Sequence, residues 1–372
     1  MATTIHLRAE TKPFERRSPL SPETAKALKD AGYIVRVEKS PDRIYRDEEF
    51  EDAGIKLADP GDWMKLKPSE DLIILGLKEI DANGIDLPHN YIHFAHCYKK
   101  QEGWATELSR FSKTPTGLLY DLEFLVNERG QRIAAFGFSA GYAGTALALL
   151  SWAHQILNPG VKQGPVSKYD LATDLIADVK ASLAKALPLN GGKYPQVMII
   201  GALGRCGNGA VDAATAAGVP ESSLLKWDLD QTKDGGPFDQ ITQADILLNC
   251  VYLGSHEIKP FCTTDSLSKE DRKLRVICDV SCDPNSDNNP IPVYSEYSKF
   301  DKPTTSASSK IKLGPELRVI AIDHLPTMIA REASDEYSKL LLPSLLELKN
   351  RHTDGVWTRA EKTFRDRVAE LP

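Results

Sequence analysis

Apolar positions along this chain fall in short runs, each followed by an amphipathic stretch. Residues 5–8 predict a first strand, and 33–38 alternate as a second. Further apolar runs at 71–77, 91–97 and 117–120 read as strands that end on Lys78 and Glu79, on His96, and on Asp121 and Glu123. Between them, Ser21 caps a helix with Pro22 at its first position, running to Asp30 before Gly32. Shorter helices are predicted over 47–53 and 101–111. The pattern then repeats. A long helix over 139–157 is rich in Ala, Leu and Gly, and its small residues predict close packing between two domains. A helix over 170–187 follows, then strand runs at 197–200, 224–227, 246–250, 276–280 and 319–322. Helices over 327–348 and 354–368 close the chain and are expected to return to the first domain. This alternation predicts an α/β protein of two doubly wound domains, 1–132 with 325–372 and 133–324.

Composition narrows the class. A chain of 372 residues suits two cores rather than one. A hydrophobic content of 41% with 26% charged residues describes a globular protein, and no apolar run has the length of a membrane span. The first residues lack the apolar centre of a signal peptide and the last three are no peroxisomal address, so a cytoplasmic protein is expected. A net charge of -6 argues against nucleic acid as a partner and requires that any anionic ligand be held by local cations. Six cysteines without a C-x-x-C pair suggest reduced thiols.

The first candidate chemistry lies at residues 201–207. The strand at 197–200 runs into Gly201-Ala202-Leu203-Gly204-Arg205-Cys206-Gly207, in which Gly204 and Gly207 hold the second and third places of a dinucleotide loop and Ala202 the first. The next strand ends on Asp228, about twenty residues further on, where a carboxylate accepts from an adenosine ribose and repels a 2′-phosphate. NAD is therefore expected rather than NADP. A tight turn that binds nothing is the plainer reading of the loop alone.

Taken together, Arg8-Ala9-Glu10-Thr11-Lys12-Pro13, Gly76-Leu77-Lys78-Glu79, Phe94-Ala95-His96-Cys97-Tyr98-Lys99, Ala134-Ala135-Phe136-Gly137, the glycine loop and Ile322-Asp323-His324-Leu325-Pro326 resemble the fungal saccharopine dehydrogenases. These are NAD-dependent, L-lysine-forming enzymes of the α-aminoadipate route, and the likeness covers nearly the whole chain. It implies two Rossmann-like domains around a cleft, as in alanine dehydrogenase, and a monomer without metal. It implies that saccharopine, NAD and water give L-lysine, 2-oxoglutarate and NADH. By resemblance Lys78 and His96 are the acid–base pair, with Glu79 tuning them. Lys12, Arg17, Gln101, Glu123, Arg132, Phe136, Ser281, Cys282 and Asp283 fall in the substrate pocket. Gln131, Gly204, Arg205, Asp228, Thr232, Tyr252, Val280, Ile322, Asp323, His324 and Leu325 fall at the cofactor, with Gln131 standing where the family has arginine.

Plainer readings stand beside these. Lys78 and Glu79 read as a solvated pair, His96 as a backbone-satisfied core histidine, Phe136 as core, and Asp323 as a helix cap. His93 and His96, an odd number apart, point to opposite faces of a strand and do not suggest a metal site. Cys206, at a helix start, and Cys250, at a strand end, are expected close enough for a disulfide that hinders NAD, with two inert thiols as the alternative. Other classes left open are an alanine-type amino-acid dehydrogenase and a non-catalytic NAD-binding protein.

Overall fold

The computed structural model describes residues 2–80, 84–100, 102–251, 259–281, 284 and 288–372. The chain divides into two compact units, Met1–Ala135 with Ala330–Pro372, and Phe136–Ile329.

The first unit holds six strands among its described residues: β1 Thr4–Leu7, β2 Ile34–Glu38, β3 Lys56–Ala58, β4 Leu72–Leu75, β5 Asn90–His93 and β6 Leu118–Asp121. They pair in parallel in the order β3-β2-β1-β4-β5-β6. β4, β5 and β6 are buried at every position, and β4 reads as an unbroken apolar run for that reason. The edge strand β3 is half-exposed and escaped the apolar pattern. Helix α1 (Pro22–Asp30) is capped by Ser21, whose hydroxyl accepts from the Thr24 amide while Thr24 reciprocates. The helices α2 (Asp47–Asp52) and α3 (Trp104–Ser112) follow, α3 starting later than the predicted 101 because Gly103, at φ 80°, turns the chain into it.

Strand order reverses between β1 and β4, whose successors lie on opposite sides. Loops leaving their carboxyl ends must diverge, which opens a crevice there. The chain after β1 carries Arg8 to Lys12, and the chain after β4 carries Lys78 and Glu79. β5 stops at His93 rather than at the predicted 97, because His96 adopts φ 54° and the Ala95 amide turns to the Asp121 carboxylate, at 3.2 Å.

The second unit has its own sheet, of six strands among its described residues: β7 Val197–Ile200, β8 Leu224–Trp227, β9 Ile246–Asn249, β10 Val276–Asp279, β11 Thr305–Ser306 and β12 Arg318–Ile320. The order is β11-β12-β10-β9-β7-β8, parallel except for β11. β12 ends short of the predicted 322, since the Ala321 amide leaves the ladder for the Ser298 hydroxyl. Here the reversal falls between β7 and β9, so this unit's crevice lies at Gly201 and Cys250.

Helices α4 (Gly137–Leu157), α5 (Ala172–Ala186) and α6 (Arg205–Ala216) complete the elements used below. The small residues of α4 do not need a second domain to explain them: the close packing is within this unit. A side chain at Gly141 would strike the Cys206 carbonyl of α6, one at Gly209 would strike the Phe138 carbonyl of α4, and Gly144 lies against Cys278 and Val280. No described helix is long and apolar enough to cross a membrane.

Candidate active site

In the first unit, β4, β5 and β6 deliver their charged residues to one place. His96 Nε2 lies 3.3 Å from Glu79 Oε1, and its Nδ1 lies 3.8 Å from Glu123 Oε2. The imidazole stacks near the Phe94 ring, with centroids 6.1 Å apart and planes 16° from parallel. Glu123 Oε1 in turn accepts from Lys99 Nζ at 2.8 Å and lies 3.8 Å from Arg132. His96 is thus bracketed by two carboxylates, one of them already neutralised.

Lys78 is buried at 6% exposure. Burial pushes its ammonium below the ordinary lysine value, and the nearby Arg17 and Lys12 cations push the same way against Glu15 and Glu79. Desolvation also lowers His96, opposed by Glu79 and Glu123. Glu79 and Glu123 would be raised by burial, but His96, Lys12 and Lys78 around the first, and Lys99, His96 and Arg132 around the second, bring both below the usual carboxylate range. Lys78 and His96 are therefore both pushed toward their uncharged forms in one pocket, an arrangement suited to accepting protons.

Arg17 does not point out as a bare cation. Its guanidinium is gripped by buried Glu15, Nε to Oε1 at 2.8 Å and Nη2 to Oε2 at 2.6 Å, a planar two-bond pairing that fixes the fork. Lys12 is half-buried. Gln131 is exposed on a turn, where its side chain accepts from Asn127 Nδ2 at 3.1 Å. Gln101 lies outside the described residues, as do Tyr252, Cys282 and Asp283.

In the second unit the glycine loop departs from the expected frame. The residue that turns the chain is Gly201, at φ 85°, so the motif works as G-x-x-G-x-x-G and Ala202 need not be glycine. The amides of Gly201 and Ala202 both donate to the Trp227 carbonyl, at 2.8 and 2.9 Å. Gly204 precedes α6, whose first turn carries Arg205 and Cys206 with amides directed out of the helix start. Asp228 directly follows β8, accepting from the Leu203 amide at 2.8 Å and the Leu229 amide at 2.9 Å. Each of its oxygens retains a lone pair for a hydroxyl. The Thr232 hydroxyl donates to the Asp228 carbonyl and keeps its acceptor side. These donors and acceptors fit a dinucleotide.

Around them, the Val280 amide donates to the Asn249 carbonyl at 3.1 Å, and the half-buried Ser281 hydroxyl donates to the Val251 carbonyl. Ile322 and Leu325 are buried, Asp323 Oδ1 meets His324 Nδ1, and His324 Nε2 is buried without a hydrogen-bond partner among the described residues. Phe136 is half-buried at the start of α4. Cys206 and Cys250 are free thiols, and the hydrogen bond from Cys206 together with burial pushes the Cys250 thiol up. Among the described residues, no three His, Cys, Asp or Glu are placed to hold a metal.

Residues 6–143 match the model of the alanine dehydrogenase/PNT N-terminal domain family. A saccharopine dehydrogenase (NAD+, L-lysine-forming) of Schizosaccharomyces pombe is 47% identical over 372 residues, covering 100% of both chains. One from Yarrowia lipolytica is 50% identical over 368 residues, covering 99% of this chain and 98% of its own. The chain belongs to the saccharopine dehydrogenase (NAD+, L-lysine-forming) family.

Two solved structures carry the same fold. An L-alanine dehydrogenase superposes with a TM-score of 0.68 at 13% identity, covering 100% of both chains. A transhydrogenase from Sinorhizobium meliloti gives 0.58 at 18% identity, covering 92% of this chain and 94% of its own.

Two groups in the first unit of this saccharopine dehydrogenase family member were given no role by the sequence. Asp121 is fully buried beneath the cluster, accepting from the Ala95 amide at 3.2 Å and the Glu123 amide at 2.9 Å, and burial pushes its carboxyl up to about 7. Arg8 and Glu10 stood inside a quoted motif without a role. Their only sequence signal was two charges placed directly after a buried strand.

Proposed function

We propose that this protein oxidises saccharopine with NAD and releases L-lysine and 2-oxoglutarate, and that the reaction is reversible. The observation that carries the reading is the Lys78, Glu79, His96 and Glu123 cluster at the ends of β4, β5 and β6, in a chain of the saccharopine dehydrogenase family. Residues of the first unit do the proton chemistry, and the second unit binds the dinucleotide through Gly204, Arg205, Asp228 and Thr232. NAD, when bound, supplies the hydride acceptor.

In this scheme His96 takes and returns the proton at the reacting nitrogen, and Lys78 draws a proton from the water that attacks the imine carbon. Both must be partly neutral to serve, which is the direction in which their surroundings push them. Glu79 and Glu123 stabilise the protonated imidazole as it forms. The substrate has three carboxylates, and Arg17, Lys12 and Arg132 are the cations assigned to them, with Arg17 oriented by Glu15. Gln101, Phe136, Ser281, Cys282 and Asp283 complete the proposed substrate set. Tyr252, Val280, Ile322, Asp323, His324 and Leu325 complete the cofactor set, and Gln131 contributes backbone more than side chain.

The test is NADH formation with saccharopine, using NADP and alanine as controls, in wild type, Lys78→Met and His96→Gln. Each variant is expected to lose about 10²–10⁴-fold in kcat, the usual share of one acid–base group. Unchanged turnover in either removes that residue from the scheme, and turnover of alanine alone discards the substrate.

We assign a monomeric enzyme of the cytoplasm, checked by light scattering and by fractionation. A disulfide such as oxidised glutathione is expected to oxidise the adjacent thiols Cys206 and Cys250 to a disulfide, itself being reduced to two thiols, and so to weaken NAD binding. Equal NADH affinity before and after oxidation would remove this switch.

A further inference from the structure

Lys78 sits on the short connection that leaves β4, and its peptide is held from both sides. On the amide side, Glu10 accepts from the Leu77 amide through Oε1 at 2.6 Å and from the Lys78 amide through Oε2 at 3.0 Å. On the carbonyl side, Arg8 Nη2 donates to the Lys78 oxygen. The two side chains face each other at 3.5 Å and are 2% and 9% exposed.

The grip has its own supports. A side chain at Gly76 would lie 2.7 Å from Arg8 Cζ, so glycine there leaves room for the guanidinium to pass to the Lys78 carbonyl. The residue between the pair is pinned too, because the Ala9 amide donates to Glu38 Oε2 at 3.0 Å. Glu38 is itself fixed by the Gly61 and Trp63 amides and by His6. The Leu77 carbonyl then accepts from the Phe94 amide at 3.0 Å, and the Phe94 ring stacks on His96.

Two buried charges are a costly way to stabilise a loop, since desolvation offsets much of their attraction. They do, however, hold a peptide to a geometry that neutral packing does not specify. Resting on the reading of Lys78 as an acid–base residue, we propose that Arg8 and Glu10 are positioning residues that fix the Lys78 peptide, and hence its amine, for proton transfer. Neither reaches the reacting atoms. Burial raises the Glu10 carboxyl, while Arg8 and the Leu77 and Lys78 amides favour its ionised form, in which both oxygens serve fully as acceptors.

Glu10→Gln tests the idea with almost no change of shape: one oxygen becomes an NH₂ that confronts a backbone amide. Lys78 should lose its register, with kcat falling about 10- to 100-fold, the penalty of a displacement on the order of 1 Å, while NADH affinity stays within about twofold. The limb of the pH profile assigned to Lys78 should shift from its wild-type position, because the substitution both loosens the enclosure and removes a neighbouring anion. The double variant with Lys78→Met should fall no further than Lys78→Met alone, because Glu10 acts through that residue.

Arg8→Lys keeps the charge beside Glu10 but removes the fork, and should shift the same limb by a smaller amount if Glu10→Gln does not fold. Wild-type kcat and pH profile in these variants, with Lys78→Met impaired, overturn the positioning role. So does a loss that simply adds to that of Lys78→Met, which marks a structural effect. If Lys78→Met itself turns over normally, the catalytic reading of Lys78 has failed, and the positioning role falls with it.

Discussion

Replacing Gly207 by alanine tests the nucleotide loop at its tightest point. A methyl built there lies 2.5 Å from Ala202 Cα and 2.7 Å from the Ala202 carbonyl carbon, and it overlaps the Gly201 carbonyl oxygen. Carbon atoms pack at roughly 3.5–4.0 Å, so either the start of α6 or the loop must retreat by about 1 Å. Neither is soft. The Gly201 and Ala202 amides are bonded to the Trp227 carbonyl and the Leu203 amide to Asp228, while Gly209 and Gly141 press α6 against α4 backbone to backbone. Forced overpacking of this kind costs about 1–3 kcal/mol. If the helix start moves, that sum appears in NAD binding as a weakening of about 5- to 150-fold, with a lowered melting temperature for the free protein. Gly204→Ala is the matching contrast. Its added methyl meets nothing nearer than the Gly201 oxygen at 3.4 Å, and its φ of -77° is open to any residue. It should melt like wild type yet bind NAD more weakly, because the methyl stands where the pyrophosphate approaches. Titration of NADH fluorescence and thermal melts of the two variants separate these effects. Wild-type affinity in Gly207→Ala would refute the steric argument, and wild-type affinity in Gly204→Ala would refute the placement of the ligand.

Other outcomes follow from the charges. Glu79→Gln removes the carboxylate that most raises His96, so the His96 limb in the pH dependence of kcat/KM should move to lower pH; no movement would break the link between the 3.3 Å contact and catalysis. Asp121 has its carboxyl raised to about 7, against about 3.9 unfolded, so the fold prefers it protonated. The resulting cost is absent below about pH 4 and grows by about 1.4 kcal/mol per pH unit to about 4 kcal/mol near pH 7. Asp121→Asn cannot ionise, so its stability relative to wild type should rise across that window in urea unfolding, and parallel curves would contradict the burial argument. Finally, NAD at 100 times its Kd should raise stability by about 2.7 kcal/mol, seen as an upward thermal shift that NADP fails to match.

The sequence determined the elements whose causes are local. Parallel strands buried on both faces tend to be apolar, so β4 and β7 were legible as unbroken runs, and Ser21 with Pro22 marked the start of α1 to the residue. Lys78 and His96 could be named as candidates because they belong to motifs of consecutive residues near strand ends. Tertiary structure decided what depends on residues distant along the chain. Which strands neighbour one another, and hence where each sheet opens, is a matter of pairing that no single run encodes. That Gly201 makes the turn depends on φ, which the motif spacing alone did not settle. The grip of Arg8 and Glu10 on Lys78 joins residues some 70 positions apart. Asp121 reaches back 26 positions to the amide beside His96. A charged residue after a strand reads as solvated until the chain returns to bury it, and only then must it find the amides that satisfy it.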